Sequence, residues 1–230
     1  MRGRTSQPSA DRHFLPGCGW PALLPLYDPI QRLAGVGGLH EELIDRAELR
    51  PGLQVLDIGC GTGNLLIALG RRRPGLQLAG LDPDPKALRR ARRKAARAGV
   101  AASWERGFAQ ELPQPDASVD RVLSTLMFHH LDADGQDALL AEVRRVLRPD
   151  GLLLFADLDG GHGRRGFRWH RRAHPHHVAP ADVGARMAAA GLRPDPPVAH
   201  PLRLGSVSII RAAVADVRAG APVRRVQPGG

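Results

Sequence analysis

The stretch Asp57-Ile58-Gly59-Cys60-Gly61-Thr62-Gly63 sets three glycines at alternate positions behind one acid. Glycine has no Cβ and adopts left-handed backbone freely, so this run lets the main chain turn sharply and lie close against a ligand. The spacing narrows the ligand. A dinucleotide-binding G-x-G-x-x-G would need glycine at 64, where Asn64 stands, and a phosphate-binding Walker loop would need a Lys-Ser/Thr pair that is missing. What remains is G-x-G-x-G, a phosphate-independent ligand loop or a glycine-rich turn that binds nothing. A second acid, Asp82, follows 23 residues after Gly59, near the roughly 20-residue offset at which a carboxylate meets ribose hydroxyls in nucleotide-binding folds. An ionised Asp offers two acceptor oxygens and no donor, which suits a vicinal diol. Asp82 and Asp84 are also both placed to cap a helix starting at Pro85; Asp84 fits the cap better and leaves Asp82 for the ligand.

Imidazoles supply the remaining candidates. His129 and His130 follow an apolar run and are placed to act as a base, although the plainer reading makes them part of the start of the next helix, and neither is assigned a catalytic role. His162, His170, His174, His176 and His177 lie in an Arg- and Gly-rich segment. They have no clear helical i,i+4 placement and no nearby cysteine, so this segment is expected to be an exposed substrate loop and not a metal site. Its Phe167, Trp169 and arginines would then meet an anionic or aromatic acceptor.

These residues need elements to hold them. Leu53–Asp57, Leu76–Leu81, Ala101–Glu105, Val119–Ser124 and Leu152–Ala156 read as strands, and helical apolar spacing covers Leu39–Ala47, residues 65–69, Pro85–Ala98, residues 138–147 and Ala181–Ala190. Pro149-Asp150-Gly151 is expected to end the helix before the fifth strand. Two further β-like runs, Pro197–Leu204 and Ser206–Val214, meet at Gly205, a link short enough for a hairpin and too short for a crossover. The fold class is therefore α/β: a seven-stranded, mainly parallel Rossmann-like sheet with a C-terminal antiparallel hairpin, helices on both faces and an N-terminal helical cap. Residues 1–47 are expected to form an extension and lid, 48–215 the domain proper, and 216–230 a frayed tail. Ligands of such sheets bind at the carboxyl ends of the strands, where the glycine loop and Asp82 both fall.

The chain has 230 residues, 43% of them hydrophobic, with no run near the roughly 20 apolar residues that span a bilayer. Its start lacks the apolar core of a signal peptide, which predicts a cytoplasmic protein. Cys18 and Cys60, its only cysteines, are expected to be reduced. The net charge of +10 comes almost wholly from arginine, and the densest run, Arg89 to Arg97, lies on one helix where a solvated face explains it. Aromatics make up only 4%, leaving few platforms for base stacking, so nucleic acid is an unlikely partner.

Residues Val55–Gly63 (VLDIGCGTG) resemble the signature loop of class I S-adenosylmethionine-dependent methyltransferases. Similarity to the same family continues through LAGLDPDPKAL ending the second strand, Gly107–Pro113 (GFAQELP) with residues 116–120, Ser124–Leu131 (STLMFHHL) and Arg144–Asp157 (RRVLRPDGLLLFAD), covering about 48–160. Pro21–Ile30 (PALLPLYDPI) is similar to the N-terminal lid of small-molecule members, and the likeness to menaquinone- and ubiquinone-pathway enzymes is partial. The resemblance implies S-adenosylmethionine as cofactor. Its sulfonium, ammonium and carboxylate carry no phosphate, which accords with the loop.

By that resemblance Tyr27, Asp57, Gly59, Cys60, Gly61, Asp82, Pro83, Phe108, Ala109 and Ser124 surround the cofactor, Asp57 toward its cationic methionine end, Asp82 at the ribose, and Phe108 and Ala109 at the adenine. Many relatives have Asp where Phe108 stands; Phe108 cannot accept the adenine amine's hydrogen bond, but is able to pack on the ring or to serve as a core residue. The implied activity is methyl transfer to a small-molecule acceptor such as a quinone, lipid or secondary metabolite. Methylation of RNA or protein, and a noncatalytic S-adenosylmethionine-binding regulator, are the alternatives; turnover to S-adenosylhomocysteine separates the last from the others.

Overall fold

The computed structural model describes residues 24–158, 178–203 and 205–215, with side chains from residue 28 onward. The chain runs α1 (Leu24–Ala34), α2 (Val36–Arg46), β1 (Gln54–Ile58), α3 (Asn64–Arg72), β2 (Gln77–Asp82), α4 (Pro85–Ala98), β3 (Ser103–Arg106) and β4 (Val119–Thr125). A 3-10 turn (Phe128–His130) precedes α5 (Ala133–Val146), β5 (Leu147–Leu158), α6 (Pro180–Ala189), β6 (Leu192–Pro194), β7 (Val198–Leu202) and β8 (Gly205–Val214). One sheet holds all the strands in the order β3-β2-β1-β4-β5-β8-β6, with β7 also on β8. The first five are parallel, and β8 runs antiparallel to β5, β6 and β7.

The sheet has eight strands where seven were expected, because the outer partner of β8 is broken in two. β6 pairs with Ala212 to Val214 and β7 with Gly205 to Ile209. Between them Asp195 still donates its N–H to the Arg211 carbonyl at 2.7 Å, but Pro196 and Pro197 have no donor and interrupt the ladder. Two other boundaries moved. Pro149-Asp150-Gly151 falls inside the long β5 as an irregularity opposite Val119 and Arg121, since Leu147 already pairs with Val119. The segment expected only as a lid contains a full helix, α1, with Pro29 inside it.

The sheet's two faces bury separate clusters, as strand alternation requires. Leu56, Ile58, Val122 and Phe155 pack under α5 and α6, while Val55, Leu123, Leu154 and Ala156 pack under α2 and α3. Local chemistry sets the helix ends that matter for the site. Asp84 accepts the Lys86 N–H at 2.7 Å and caps α4, as expected, with Pro85 at its first position. Gly63, at φ +76°, opens α3 directly from the glycine bend; a Cβ there would lie 2.5 Å from the Trp104 ring.

Candidate functional site

The carboxyl ends of β1, β2 and β4 meet around the glycine bend. Ile58 is registered with Leu81 on one side and Ser124 on the other. The amides of Gly59 and Cys60 both donate to the Leu81 carbonyl, at 2.8 and 3.0 Å, which pins the bend onto the end of β2. Gly59, Gly61 and Gly63 all have positive φ, at +73°, +53° and +76°. At Gly59 a Cβ would stand 2.4 Å from Met127 Cγ, so the loop after β4 rests directly on the bend.

Asp82 is buried at the tip of β2, where one carboxylate oxygen accepts the Gly61 N–H at 2.8 Å and the other accepts the Asp84 N–H at 2.8 Å. Burial pushes its carboxyl up to about 6, a rise that those two amide donors only partly offset. Asp57, one residue before the end of β1, is 3% exposed and makes no side-chain hydrogen bond among the described residues. Burial, and then the charge of Asp82, push its carboxyl well above the usual range. Two such carboxylates beside a glycine-lined bend suit a ligand that brings positive charge and hydroxyl donors. Ser124, at the adjacent end of β4, adds a buried hydroxyl without a partner among the described residues.

Gly107 follows β3 and donates to the Asp82 carbonyl at 3.4 Å, so Phe108 and Ala109 stand next to Asp82 and Pro83. Ala109 joins a core cluster, whereas Phe108 is partly buried and belongs to neither cluster. Cys60 is placed differently from the rest. Its N–H and carbonyl are both used within the fold, its thiol packs toward Gly80, and burial raises that thiol well above its ordinary value. Tyr27 falls on α1, but its side chain lies outside the described residues, as does the segment from His162 to His177 and Cys18. Among the described residues no group of three or more His, Cys, Asp and Glu could hold a metal ion, and no helix is long and apolar enough to cross a membrane.

Sequence reasoning missed Asp28. It projects from α1 as an acid between Tyr27 and Pro29, buried to 8% exposure. Thr62 Oγ1 donates to it at 2.6 Å, Asn64 Nδ2 at 3.0 Å, Arg90 Nε at 3.0 Å and Lys94 Nζ at 3.0 Å. A single carboxylate thereby joins the N-terminal helix to the glycine bend and to α4. Burial alone would raise its proton affinity, but the hydrogen bonds from Thr62, Lys94 and Asn64 outweigh it and bring its carboxyl down to about 2. The signal in the sequence was an acid on an otherwise apolar segment, whose partners lie more than 30 residues away.

Asp28→Ala is expected to cost about 1–3 kcal/mol, no more, because Lys94 and Arg90 still reach water. Hydrogen exchange should show α1 opening before the sheet. Since the folded value lies below the unfolded one, this stabilisation is complete above about pH 4 and fades as pH falls toward 2. A melt showing no difference between the variant and the parent at pH 7 would contradict it.

The arrangement defines a class first: a doubly wound α/β domain with a glycine bend and buried carboxylates at the carboxyl ends of its central parallel strands. Comparison with known proteins makes the class specific. Residues 55–151 match a family described as a methyltransferase domain. The chain is 31% identical over 138 residues to an uncharacterized methyltransferase of Synechocystis, covering 58% of this chain and 62% of that protein. It is 34% identical over 139 residues to the demethylmenaquinone methyltransferase of Deinococcus radiodurans, covering 59% and 57%. A solved S-adenosylmethionine-dependent methyltransferase from Aquifex aeolicus shares the fold, with a TM-score of 0.69 and 21% identity over 85% of this chain and 99% of that one. Residues 55–151 are thus similar to a methyltransferase domain, on a fold shared with that solved structure. The chain spans less than two thirds of the length of those two curated relatives.

Proposed function

We propose that this protein transfers the methyl group of S-adenosylmethionine to a small-molecule acceptor of quinone, lipid or secondary-metabolite type. The observation that carries the reading is Asp82. Its two oxygens are oriented by the Gly61 and Asp84 amides at the mouth of a bend in which three successive glycines have left-handed backbone. Each oxygen retains lone pairs for the two hydroxyls of a ribose. Phe108, with Ala109 and Pro83 beside it, offers an apolar wall to the adenine. Asp57 faces the cationic methionine end, where Gly61 leaves room, Gly59 lends its backbone and Ser124 offers its hydroxyl. Cys60 contributes packing through its thiol, and Tyr27, the remaining proposed contact, falls on α1. When bound, the cofactor supplies a methyl group on a sulfonium, which leaves as a neutral thioether. The chain's contribution is then mainly alignment and exclusion of water, worth on the order of 7–11 kcal/mol at best. The small-molecule class is supported by the relative named for demethylmenaquinone.

The raised carboxyl of Asp82 sets a pH dependence. Ionised Asp82 is the diol acceptor, so cofactor affinity should be pH-independent above about 6 and fall below it, by at most about tenfold per pH unit for one proton. For the free protein the sign is opposite: because the folded value exceeds the unfolded one, this residue favours the fold at low pH and loses that contribution between about 4 and 6. Calorimetric titration from pH 5 to 8 checks the first statement, and a flat affinity removes Asp82 from the diol. The activity itself is tested with methyl-labelled cofactor and a cell lipid extract. A labelled product that forms only with the protein supports the reading, and cofactor binding without transfer to that or a polar-metabolite pool rejects it.

A further inference from the structure

Charge and apolar exposure meet on the outer side of α1 and α4. The α4 sequence PKALRRARRKAARA is dense in arginine and contains no acid. Ala87, Leu88, Ala91 and Ala95 bury its inner face, which leaves Lys86, Arg89, Arg93 and Arg97 at three- and four-residue spacing along the outer one, all exposed. Among the described residues none of these four cations makes an ion pair or a side-chain hydrogen bond. Arg90 and Lys94, on the flank of the same helix, each reach Asp28 at 3.0 Å and tie α4 to α1. Helical spacing turns Ile30 and Leu33 to the side of α1 opposite Asp28. They are 56% and 68% exposed, the two most exposed large apolar side chains among the described residues, with Arg32 exposed beside them.

We propose that the outer faces of α1 and α4 dock this protein on an anionic phospholipid surface, Ile30 and Leu33 entering the headgroup layer and the α4 cations lying against lipid phosphates. The proposal goes beyond the methyltransferase reading and does not depend on it. A solvated helix face accounts for the α4 arginines taken alone. It does not account for two aliphatic side chains held out to solvent on the helix that α4 grips. Charge complementarity selects the occupant. Apolar side chains flanked by basic ones are what a peripheral helix presents to anionic lipid, where each cation strengthens binding about fivefold. Duplex nucleic acid would meet the cations equally well, but its phosphate backbone offers nothing to exposed aliphatics. A second copy of this chain would bring the same cations against one another, because two-fold partners present the same patch. Thr62 donates to Asp28 at 2.6 Å and holds α1 on the glycine bend, so docking by this face sets the carboxyl ends of β1 and β2 beside the lipid.

The test is co-sedimentation of the full chain with vesicles of phosphatidylcholine alone and of an equal mixture of phosphatidylcholine and phosphatidylglycerol. The protein should bind the mixed vesicles far more tightly than the neutral ones, and added salt should weaken that binding. Arg89→Gln together with Arg93→Gln should lower affinity for the mixed vesicles by about 25-fold, at roughly fivefold for each charge. Ile30→Ser together with Leu33→Ser should lower it by about tenfold or more, through lost apolar burial. All four side chains are exposed, so both pairs should keep the parental circular dichroism and the parental cofactor affinity by calorimetry. Loss of vesicle binding and loss of the cofactor site are therefore read separately. No binding to the mixed vesicles, or binding that neither pair weakens, overturns the proposal. Binding that ignores Ile30 and Leu33 while duplex RNA is held equally well overturns it in favour of a nonspecific polyanion site. A dimer that Ile30→Ser with Leu33→Ser splits gives the face to a second copy and overturns it as well.

Discussion

Gly61→Val should abolish measurable cofactor binding while leaving the protein folded. Gly61 has φ +53°, a region that β-branched residues almost never occupy, so valine pays about 1–3 kcal/mol in backbone strain or forces the bend to relax. Relaxation is equally damaging, because the Gly61 N–H is what holds Asp82 Oδ2 in place. The isopropyl group adds volume on the surface proposed to face the ligand. Together these effects should weaken cofactor affinity by about 100-fold or more. Circular dichroism should remain that of the parent, because the packed cores lie beneath the bend and do not include Gly61. Gly61→Ala should be intermediate, sharing the strain but adding only one methyl. Undiminished affinity in the valine variant would remove the glycine bend from the site.

Asp82→Ala should lower cofactor affinity by about 10- to 100-fold, the loss of hydrogen bonds to a charged acceptor worth about 1.5–3 kcal/mol. Thermal stability at neutral pH should not fall with it. The raised carboxyl shows that the free fold holds this residue's ionised form at a cost, so removing it relieves burial even as the Gly61 and Asp84 amides lose their acceptor. Asp82→Asn discriminates further, since its amide group presents donors toward one of those N–H groups and should bind no better than alanine. A residue acting only as a structural brace would give the reverse pattern, with a depressed melting temperature and intact affinity, and that result would reassign Asp82 to the fold.

Much of this protein was legible along the chain because its determinants are local. The alternating strand and helix patterns, the left-handed glycines after β1, the Asp84 cap with Pro85, and the offset from Gly59 to Asp82 each depend on residues within one supersecondary unit. The short link at Gly205 was enough to fix the antiparallel hairpin. Where the sequence failed, the deciding contact was distant or subtractive. The split of the outer strand into β6 and β7 follows from two prolines acting against the β8 ladder, between the pairs Pro194 with Ala212 and Val198 with Ile209. Asp28 earns its role only when α1, the glycine bend and α4 converge, and Asp157 looked like the end of a strand until the left-handed kink at Leu126 brought the His129 amide onto its carboxylate. Residue type and spacing determined that a glycine bend would form at the end of β1 with an acid at the tip of β2 beside it. Which charged groups would share a buried volume was left to the tertiary structure, because proton affinity and ion pairing depend on desolvation and on neighbours that no linear spacing encodes.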